Sequence, residues 1–165
     1  EYMEMIRLKT AVLLAGALKI GALYANAPEE DTERIYRFGI NIGLAFQLQD
    51  DLLDAYGDES VFGKQTGTDI KDNKKTYLLL RSLQMAPEPH RTMLRQLFGQ
   101  KPDDPAQKIG AVLTIYDKIG IQPLTEEEIS VFFDRARREL DAIALPEERK
   151  QPLRDLAAML FGRKH

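Results

Sequence analysis

Three carboxylates interrupt an otherwise apolar helical segment, and no other feature of the sequence restricts the fold as strongly. They stand in the run Phe46-Gln47-Leu48-Gln49-Asp50-Asp51-Leu52-Leu53-Asp54. On a helix, steps of three and four residues return to one face, so Gln47, Asp50 and Asp54 share a stripe with Gly43 one turn earlier. Like charges at this spacing repel, unpaired burial costs several kcal/mol, and the C-terminal end of a helix disfavours anions. The segment therefore needs a bound cation or contact with water.

The chemistry of this cluster favours magnesium among the cations. Its ligands would be hard oxygens, with no His or Cys nearby. Mg²⁺ takes one or two carboxylates and completes its shell with water and substrate phosphates. The alternative is a solvated acidic face near a helix end, which is common for an isolated Asp-Asp-x-x-Asp pattern.

A glycine-rich stretch after the cluster carries lysines. Gly63-Lys64 is followed by Thr66-Gly67-Thr68-Asp69-Ile70, and Lys74 and Lys75 are predicted on the first turns of the next helix. Lysine ammonium groups bind phosphate as mobile point charges, so this arrangement suits a polyanion held with metal ions. Lys75 is interpreted as a solvated surface residue. For Asp69, the spacing leaves open whether it reaches the metal through water or caps the next helix.

The pair Lys9-Thr10 is the third polar feature. Lys9 shares a helix face with Met5, Leu13 and Gly16, which is mostly apolar. The lysine either extends along that face to the surface or points into a polar site, and the spacing does not decide between them.

The periodicity predicts an all-α fold, a helix bundle with short connections that forms a single domain over residues 1–165. Gly57 to Asp69 is predicted to be non-helical, and Thr125 is predicted to be the N-cap of a capping box with Glu128. The predicted helices are Tyr2 to Tyr24, Glu29 to about Ala55, Asp72 to about Met85, His90 to Phe98, Ala106 to Ile119, the helix after Thr125 to about Ala144, and Pro146 to near Gly162.

Composition excludes several classes of protein. The formal charge is only -3, with acids and bases mixed along the chain, which argues against nucleic-acid binding. There is no cysteine, so no disulfide or thiolate metal site can form, and a cytoplasmic location is expected. The longest apolar run, Thr10–Ala17, is too short to span a bilayer, so no stable membrane insertion is expected.

Together these motifs resemble the polyprenyl synthetase family, the trans-isoprenyl diphosphate synthases. Glu4–Ala11 resembles the family's lysine–threonine motif, and Phe46–Asp54 resembles its second aspartate-rich motif. Gly63-Lys64, Thr68-Asp69-Ile70 and Lys74 resemble the loop that follows. The resemblance is dense from Glu1 to about Leu83, and four motifs in order make it specific.

The resemblance implies a farnesyl- or geranylgeranyl-type synthase, which condenses an allylic diphosphate with isopentenyl diphosphate and uses Mg²⁺. By the same resemblance, Asp50 and Asp54 are metal ligands, with Asp51 and Asp69 supporting through water. The diphosphate would contact Lys9, Lys64 and Lys74. The Thr10 carbonyl and the Gln47 side chain, with Phe46 in the substrate pocket, would face the carbocation.

The chain also departs from the family pattern. It lacks the first aspartate-rich motif, the arginines downstream of it and the basic residues near the family's N-terminus. By resemblance it corresponds to a C-terminal portion with half of the site, and we expect it to be inactive alone and to form a homo-oligomer, a homodimer in the whole enzyme. The alternative is a non-catalytic regulatory or interaction subunit of a two-chain synthase.

Overall fold

The computed structural model describes residues 1–58, 63, 65–99 and 104–162, and within these ranges it contains helices and no strand. The all-α prediction is confirmed. The elements are α1 (Tyr2–Ile6), a π-helical segment (Arg7–Ala11), α2 (Val12–Tyr24), α3 (Glu29–Tyr56), α4 (Thr68–Lys71), α5 (Tyr77–Met85), α6 (Glu88–Gly99), α7 (Pro105–Ile119), α8 (Ile121–Asp141) and α9 (Glu147–Phe161). None of the described helices is long and apolar enough to cross a membrane.

Most predicted helix boundaries are confirmed where the side chain or backbone of a nearby residue ends or caps the helix. The Asp104 carboxylate caps α7 by accepting from the backbone N–H of Ala106 at 2.9 Å and of Gln107 at 3.2 Å. Gly120 ends the same helix in the left-handed conformation, with φ of 68°, which glycine adopts without steric cost. The last helix is predicted from Pro146; α9 begins one residue later at Glu147, with Pro146 at the N-cap position.

The predicted helix from Asp72 to Met85 is wrong in its first part. Asn73 lies in the left-handed region with φ of 57°, and helix α5 begins only at Tyr77, with Thr76 as its N-cap. Lys74 and Lys75 therefore lie in an irregular connection rather than on helical turns. A short helix, α4, also occupies the end of the stretch predicted to be non-helical.

The predicted capping box at Thr125 is also wrong. Helix α8 begins at Ile121 and passes through Thr125, whose hydroxyl is fully buried and donates to the Ile121 carbonyl at 2.8 Å. Pro123 is tolerated because it lies in the first turn, where its missing N–H has no intrahelical partner to lose. The Thr125 hydroxyl thus donates to the carbonyl one turn back and does not accept from a free N–H at a helix start.

The chain divides into two compact units, which are described separately; the single domain stays a prediction. Among the described residues, the first unit contains Glu1, Met3–Gln47 and residues 128–162. Its core joins α3 and α8, with Leu14 and Leu18 of α2 packed against it; the buried residues of this core are Ile35, Phe38, Ile42, Ala136, Leu140 and Ile143. The second unit contains Tyr2 and Leu48–Glu127, where α4 and α5 pack on α7, and α6 packs on α5 and α7.

Two glycines let α3 approach the helix that carries Lys9 very closely within the first unit. A Cβ added at Gly43 would lie 2.5 Å from the Ala11 Cα, and one added at Gly39 would lie 2.6 Å from the Ala15 Cα. Both alanines are fully buried. The first part of α3 therefore lies directly beside the π-helical segment and α2.

Candidate functional site

The lysine–threonine pair lies on a π-helical turn. Lys9 and Thr10 belong to Arg7–Ala11, which interrupts the helix between α1 and α2. Single π turns within α-helices are rare and frequently mark functional sites, because they disturb the regular pairing of carbonyl groups. No feature of the sequence distinguishes this turn from ordinary helix. Lys9 is exposed, whereas Thr10 is partly buried.

The same turn is tied to α3 by a side-chain hydrogen bond. The Thr10 hydroxyl donates to the Gln47 Oε1 at 3.1 Å. This contact places the Gln47 side chain next to the turn, so three of the residues predicted for the site lie in one group within the first unit: Lys9, Thr10 and Gln47. Phe46 is partly buried beside them in the chain.

We expect Thr10→Val to lower the free energy of unfolding by about 0.5–1.5 kcal/mol, because the substitution keeps the shape of the side chain and leaves the Gln47 oxygen without this donor. The matched control is Thr114→Val, which changes an exposed threonine whose hydroxyl only back-bonds to the Gly110 carbonyl. Urea unfolding of both variants makes the comparison, and equal losses would contradict a specific role for the Thr10–Gln47 bond.

The three aspartates at the end of α3 lie in different environments. Asp51 is buried, only 5% exposed, and accepts hydrogen bonds from the Tyr2 hydroxyl and, at 3.1 Å, from the Tyr77 backbone N–H. Burial and the charge of Asp51 together raise the pKa of Tyr2, so the phenol stays a donor. Asp51 thus anchors Tyr2 and the start of α5. Its support of a metal through water stays a prediction.

Asp54 holds the end of the glycine-rich stretch. One carboxylate oxygen accepts from the Thr68 hydroxyl and the other from the Asp69 backbone N–H at 2.9 Å. The Asp54 carbonyl also accepts from the backbone N–H of Gly67, which has φ of 73°. Burial raises the pKa of Asp54, while the hydrogen bonds from Thr68 and Asp69 oppose that rise. The half-buried carboxylate therefore fixes where Asp69 lies.

Asp69 in turn pairs with Lys74. The Lys74 ammonium binds the Asp69 carboxylate, and the Lys74 backbone N–H donates to the Asp69 carbonyl at 2.9 Å. The hydrogen bond that the Lys74 ammonium donates to the Asp69 carboxylate raises the pKa of Lys74, which keeps the ammonium charged. The structure thus brings together Asp54, Asp69 and Lys74 in the second unit. Lys64 lies outside the described residues.

The donor set suits Mg²⁺ only if water and ligand complete its shell. Within the part of the chain that the structure describes, no three His, Cys, Asp or Glu side chains form a group that could hold a metal. Asp50 is exposed and lies one helical turn from Asp54. The Asp54 carboxylate accepts two described hydrogen bonds, which use about half of its lone pairs. Mg²⁺ is normally bound by one or two carboxylates together with phosphates, so Asp50 and Asp54 fit this metal.

The sequence matches the family model for polyprenyl synthetase over residues 1–115. The chain belongs to the polyprenyl synthetase family. The matched range includes the lysine–threonine turn, the aspartates of α3 and the stretch to Lys74.

Individual relatives agree with this assignment. Geranylfarnesyl diphosphate synthase from Natronomonas pharaonis is 36% identical over 166 residues, covering 100% of this chain and 46% of the relative. A crystal structure of a geranylgeranyl pyrophosphate synthase is 38% identical with a TM-score of 0.88, covering 99% of this chain and 51% of that one. The Corynebacterium glutamicum geranylgeranyl pyrophosphate synthase, complexed with isoprenyl diphosphate and magnesium, is 31% identical with a TM-score of 0.86, covering 99% and 46%. The chain spans about half the length of these relatives.

Proposed function

We propose that this chain forms one side of a magnesium–diphosphate site in a prenyltransferase that condenses an allylic diphosphate with isopentenyl diphosphate. The arrangement around Asp54 is the observation that supports this proposal. The Asp54 carboxylate accepts from the Asp69 backbone N–H, and the Asp69 carboxylate binds the Lys74 ammonium. Carboxylates for a hard cation and a lysine for a polyanion thereby lie side by side. The relative from Corynebacterium glutamicum, which was crystallised with magnesium and isoprenyl diphosphate, supports the same ligands.

The reaction that we propose begins with loss of the leaving group. The C–O bond of the allylic diphosphate breaks, and pyrophosphate departs with the electron pair. The double bond of isopentenyl diphosphate then attacks the allylic carbocation to form a C–C bond. The released pyrophosphate accepts a proton from the adjacent carbon, and the electrons of that C–H bond restore a double bond. Magnesium, when bound by Asp50 and Asp54, supplies stabilisation of the negative charge that grows on the leaving group.

The chain's own residues have distinct tasks in this proposal. Lys9, Lys64 and Lys74 hold the diphosphate through charge-assisted hydrogen bonds. The Thr10 carbonyl and the Gln47 side chain face the cation, and the Thr10 hydroxyl orients Gln47 at 3.1 Å. An apolar surrounding keeps water from the cation, which would otherwise be quenched to an alcohol.

The test compares the 165-residue chain with the same chain joined to the complementary half of the Natronomonas pharaonis synthase, using labelled isopentenyl diphosphate and an allylic partner. We expect no chain elongation from the 165-residue chain, because ionisation needs charge stabilisation from both sides of the leaving group. The joined protein should elongate the allylic substrate and lose turnover severely with Asp50→Ala. Turnover that is unchanged by Asp50→Ala would instead support a non-catalytic role for this chain.

Lys74→Ala should weaken binding of magnesium pyrophosphate far more than Lys75→Ala. Loss of one charge-assisted contact corresponds to roughly 1.5–3 kcal/mol of binding free energy, or about a tenfold or larger rise in Kd. The lysines are neighbours and both are exposed, but only the Lys74 ammonium is held at Asp69 by a described ion pair. Titration calorimetry measures both variants, and equal effects would remove Lys74 from the site.

We also propose that the isolated chain self-associates. The helical segment from α1 to α2 exposes large apolar side chains, with Leu8 59%, Leu13 78% and Ile20 68% exposed. Contiguous apolar patches beyond a few hundred Å² are uncommon on monomers. Light scattering at high concentration should show a dimer or larger species, and Leu13→Gln with Ile20→Gln should shift it towards monomer. A monomeric wild-type chain at high concentration would contradict this proposal.

A further inference from the structure

Helix α7 contains a lysine that is almost completely buried and that the proposed chemistry leaves without a role. Lys108 is only 4% exposed. Burying an ammonium group is costly unless polar partners replace its water, and removal from water accordingly lowers its pKa, opposed by the charge of Asp72. Such a residue is retained at a cost to stability, so its contacts indicate what it does.

The partners of Lys108 are unusual for a buried lysine. Its ammonium donates to the Asn73 side-chain oxygen and lies 4.9 Å from the centre of the Phe98 ring. Among the described ion pairs none involves Lys108, although Asp72 lies next to Asn73 in the chain. The lysine is therefore directed at one amide oxygen and one aromatic face, both of which tolerate a positive charge.

Asn73, whose side chain accepts from Lys108, lies at the turn in the connection between α4 and α5. Asn73 has φ of 57°, a conformation that asparagine adopts more readily than most residues, and its N–H donates to the Ile70 carbonyl at 3.2 Å. The next residue, Lys74, turns back so that its N–H reaches the Asp69 carbonyl at 2.9 Å. Asn73 therefore lies at the turn that brings the Lys74 backbone to Asp69.

We propose that Lys108 is a positioning residue for the diphosphate site, acting through Asn73 to hold Lys74 beside Asp69. This inference rests on the proposed function, since the connection matters for activity only if Lys74 binds diphosphate. Lys108 touches neither Asp54 nor Asp69 among the described contacts, and its effect passes through the Asn73 side chain. It would bind no ligand itself.

The experiment uses Lys108→Met, which keeps an unbranched side chain one heavy atom shorter and removes the charged group, with Lys118→Met as the matched control. Lys118 lies on the same helix and is exposed. We expect Lys108→Met to raise the Kd for pyrophosphate in the presence of magnesium about tenfold, and Lys118→Met to leave it unchanged. Hydrogen exchange should show faster exchange at the Lys74 amide in Lys108→Met alone.

A second variant keeps the inference testable if Lys108→Met fails to fold. Asn73→Gly preserves access to the left-handed conformation and removes the side-chain oxygen that accepts from Lys108. It should raise the Kd about as much as Lys108→Met, and the double variant should be no worse than either, because one contact has been removed twice. Additive losses would overturn the inference.

The outcomes separate this inference from the proposed function. If the wild-type chain does not bind magnesium pyrophosphate, the proposed function fails. Hydrogen exchange at the Lys74 amide then still measures whether the contact between Lys108 and Asn73 keeps the connection in place. If the wild-type chain binds but the Lys74 amide exchanges equally in Lys108→Met, Asn73→Gly and wild type, the proposed function stands and the positioning role is wrong.

Discussion

Gly43→Ala is expected to destabilise the protein by about 3 kcal/mol or more, although the added group is a single methyl. That methyl would lie 2.5 Å from the Ala11 Cα and 2.7 Å from its Cβ. Since the first atom belongs to the backbone of the π-helical segment, α3 and that segment must move apart. Overpacking of a tight interior typically costs about 1–3 kcal/mol, and this contact is closer than side-chain rearrangement can relieve.

The matched control for Gly43 is Gly16→Ala on α2. No atom lies within 4 Å of a Cβ added at Gly16. Replacing glycine by alanine inside a helix then gains about 0.5–1 kcal/mol, because the unfolded chain loses conformational freedom. Urea unfolding should therefore move in opposite directions for the two variants. A Gly43→Ala protein as stable as wild type would show that α3 and the Lys9 helix do not lie in contact as described.

Asp51→Ala is expected to have the second largest effect, and on folding rather than on chemistry. The substitution removes the acceptor for both the Tyr2 hydroxyl and the Tyr77 backbone N–H. A hydrogen bond to a charged group contributes about 1.5–3 kcal/mol, so loss of both bonds should lower the free energy of unfolding by about 3 kcal/mol or more in urea unfolding. Asp51→Asn should lose less, because the amide oxygen can still accept.

Asp50→Ala is the control for Asp51, since the two carboxylates are adjacent in the chain but Asp50 is exposed. We expect Asp50→Ala to leave the free energy of unfolding within about 0.5 kcal/mol of wild type. It should weaken binding of magnesium pyrophosphate severely, whereas Asp51→Asn should bind almost normally once folded. The reverse pattern would show that Asp51 rather than Asp50 holds the metal.

The parts of the fold that sequence reasoning predicts are those set by local chemistry. The predicted end of α7 at Ile119 is confirmed, because the Gly120 backbone enters the left-handed region. The helix begins at Pro105, one residue before the predicted start, where the Asp104 carboxylate accepts from free N–H groups. The connection at Asp72 to Thr76 escapes such reasoning because its lysines are compatible with a helix. A contact with Lys108, thirty-five residues from Asn73 in sequence, accompanies the non-helical conformation.

In the candidate site, too, helical spacing predicts some features, and others depend on contacts that only the structure gives. Helical spacing is enough to place Asp50 and Asp54 one turn apart, and to turn Asp51 away from them. Spacing leaves the role of Asp69 open, and the structure adds its contacts with Asp54 and Lys74. The π-helical turn at Lys9 has no signature in residue type, and the buried state of Asp51 depends on Tyr2, forty-nine residues away.

We expect pyrophosphate to bind this chain only when magnesium and the Asp50 carboxylate are both present. Titration calorimetry of pyrophosphate against the 165-residue chain measures this with magnesium, with a chelator, and with Asp50→Ala in magnesium. Measurable binding with magnesium, lost with the chelator and in Asp50→Ala, would support our proposal that carboxylates and lysines of this chain recognise a magnesium-bound diphosphate. Binding that is equally strong without magnesium, or in Asp50→Ala, would contradict it.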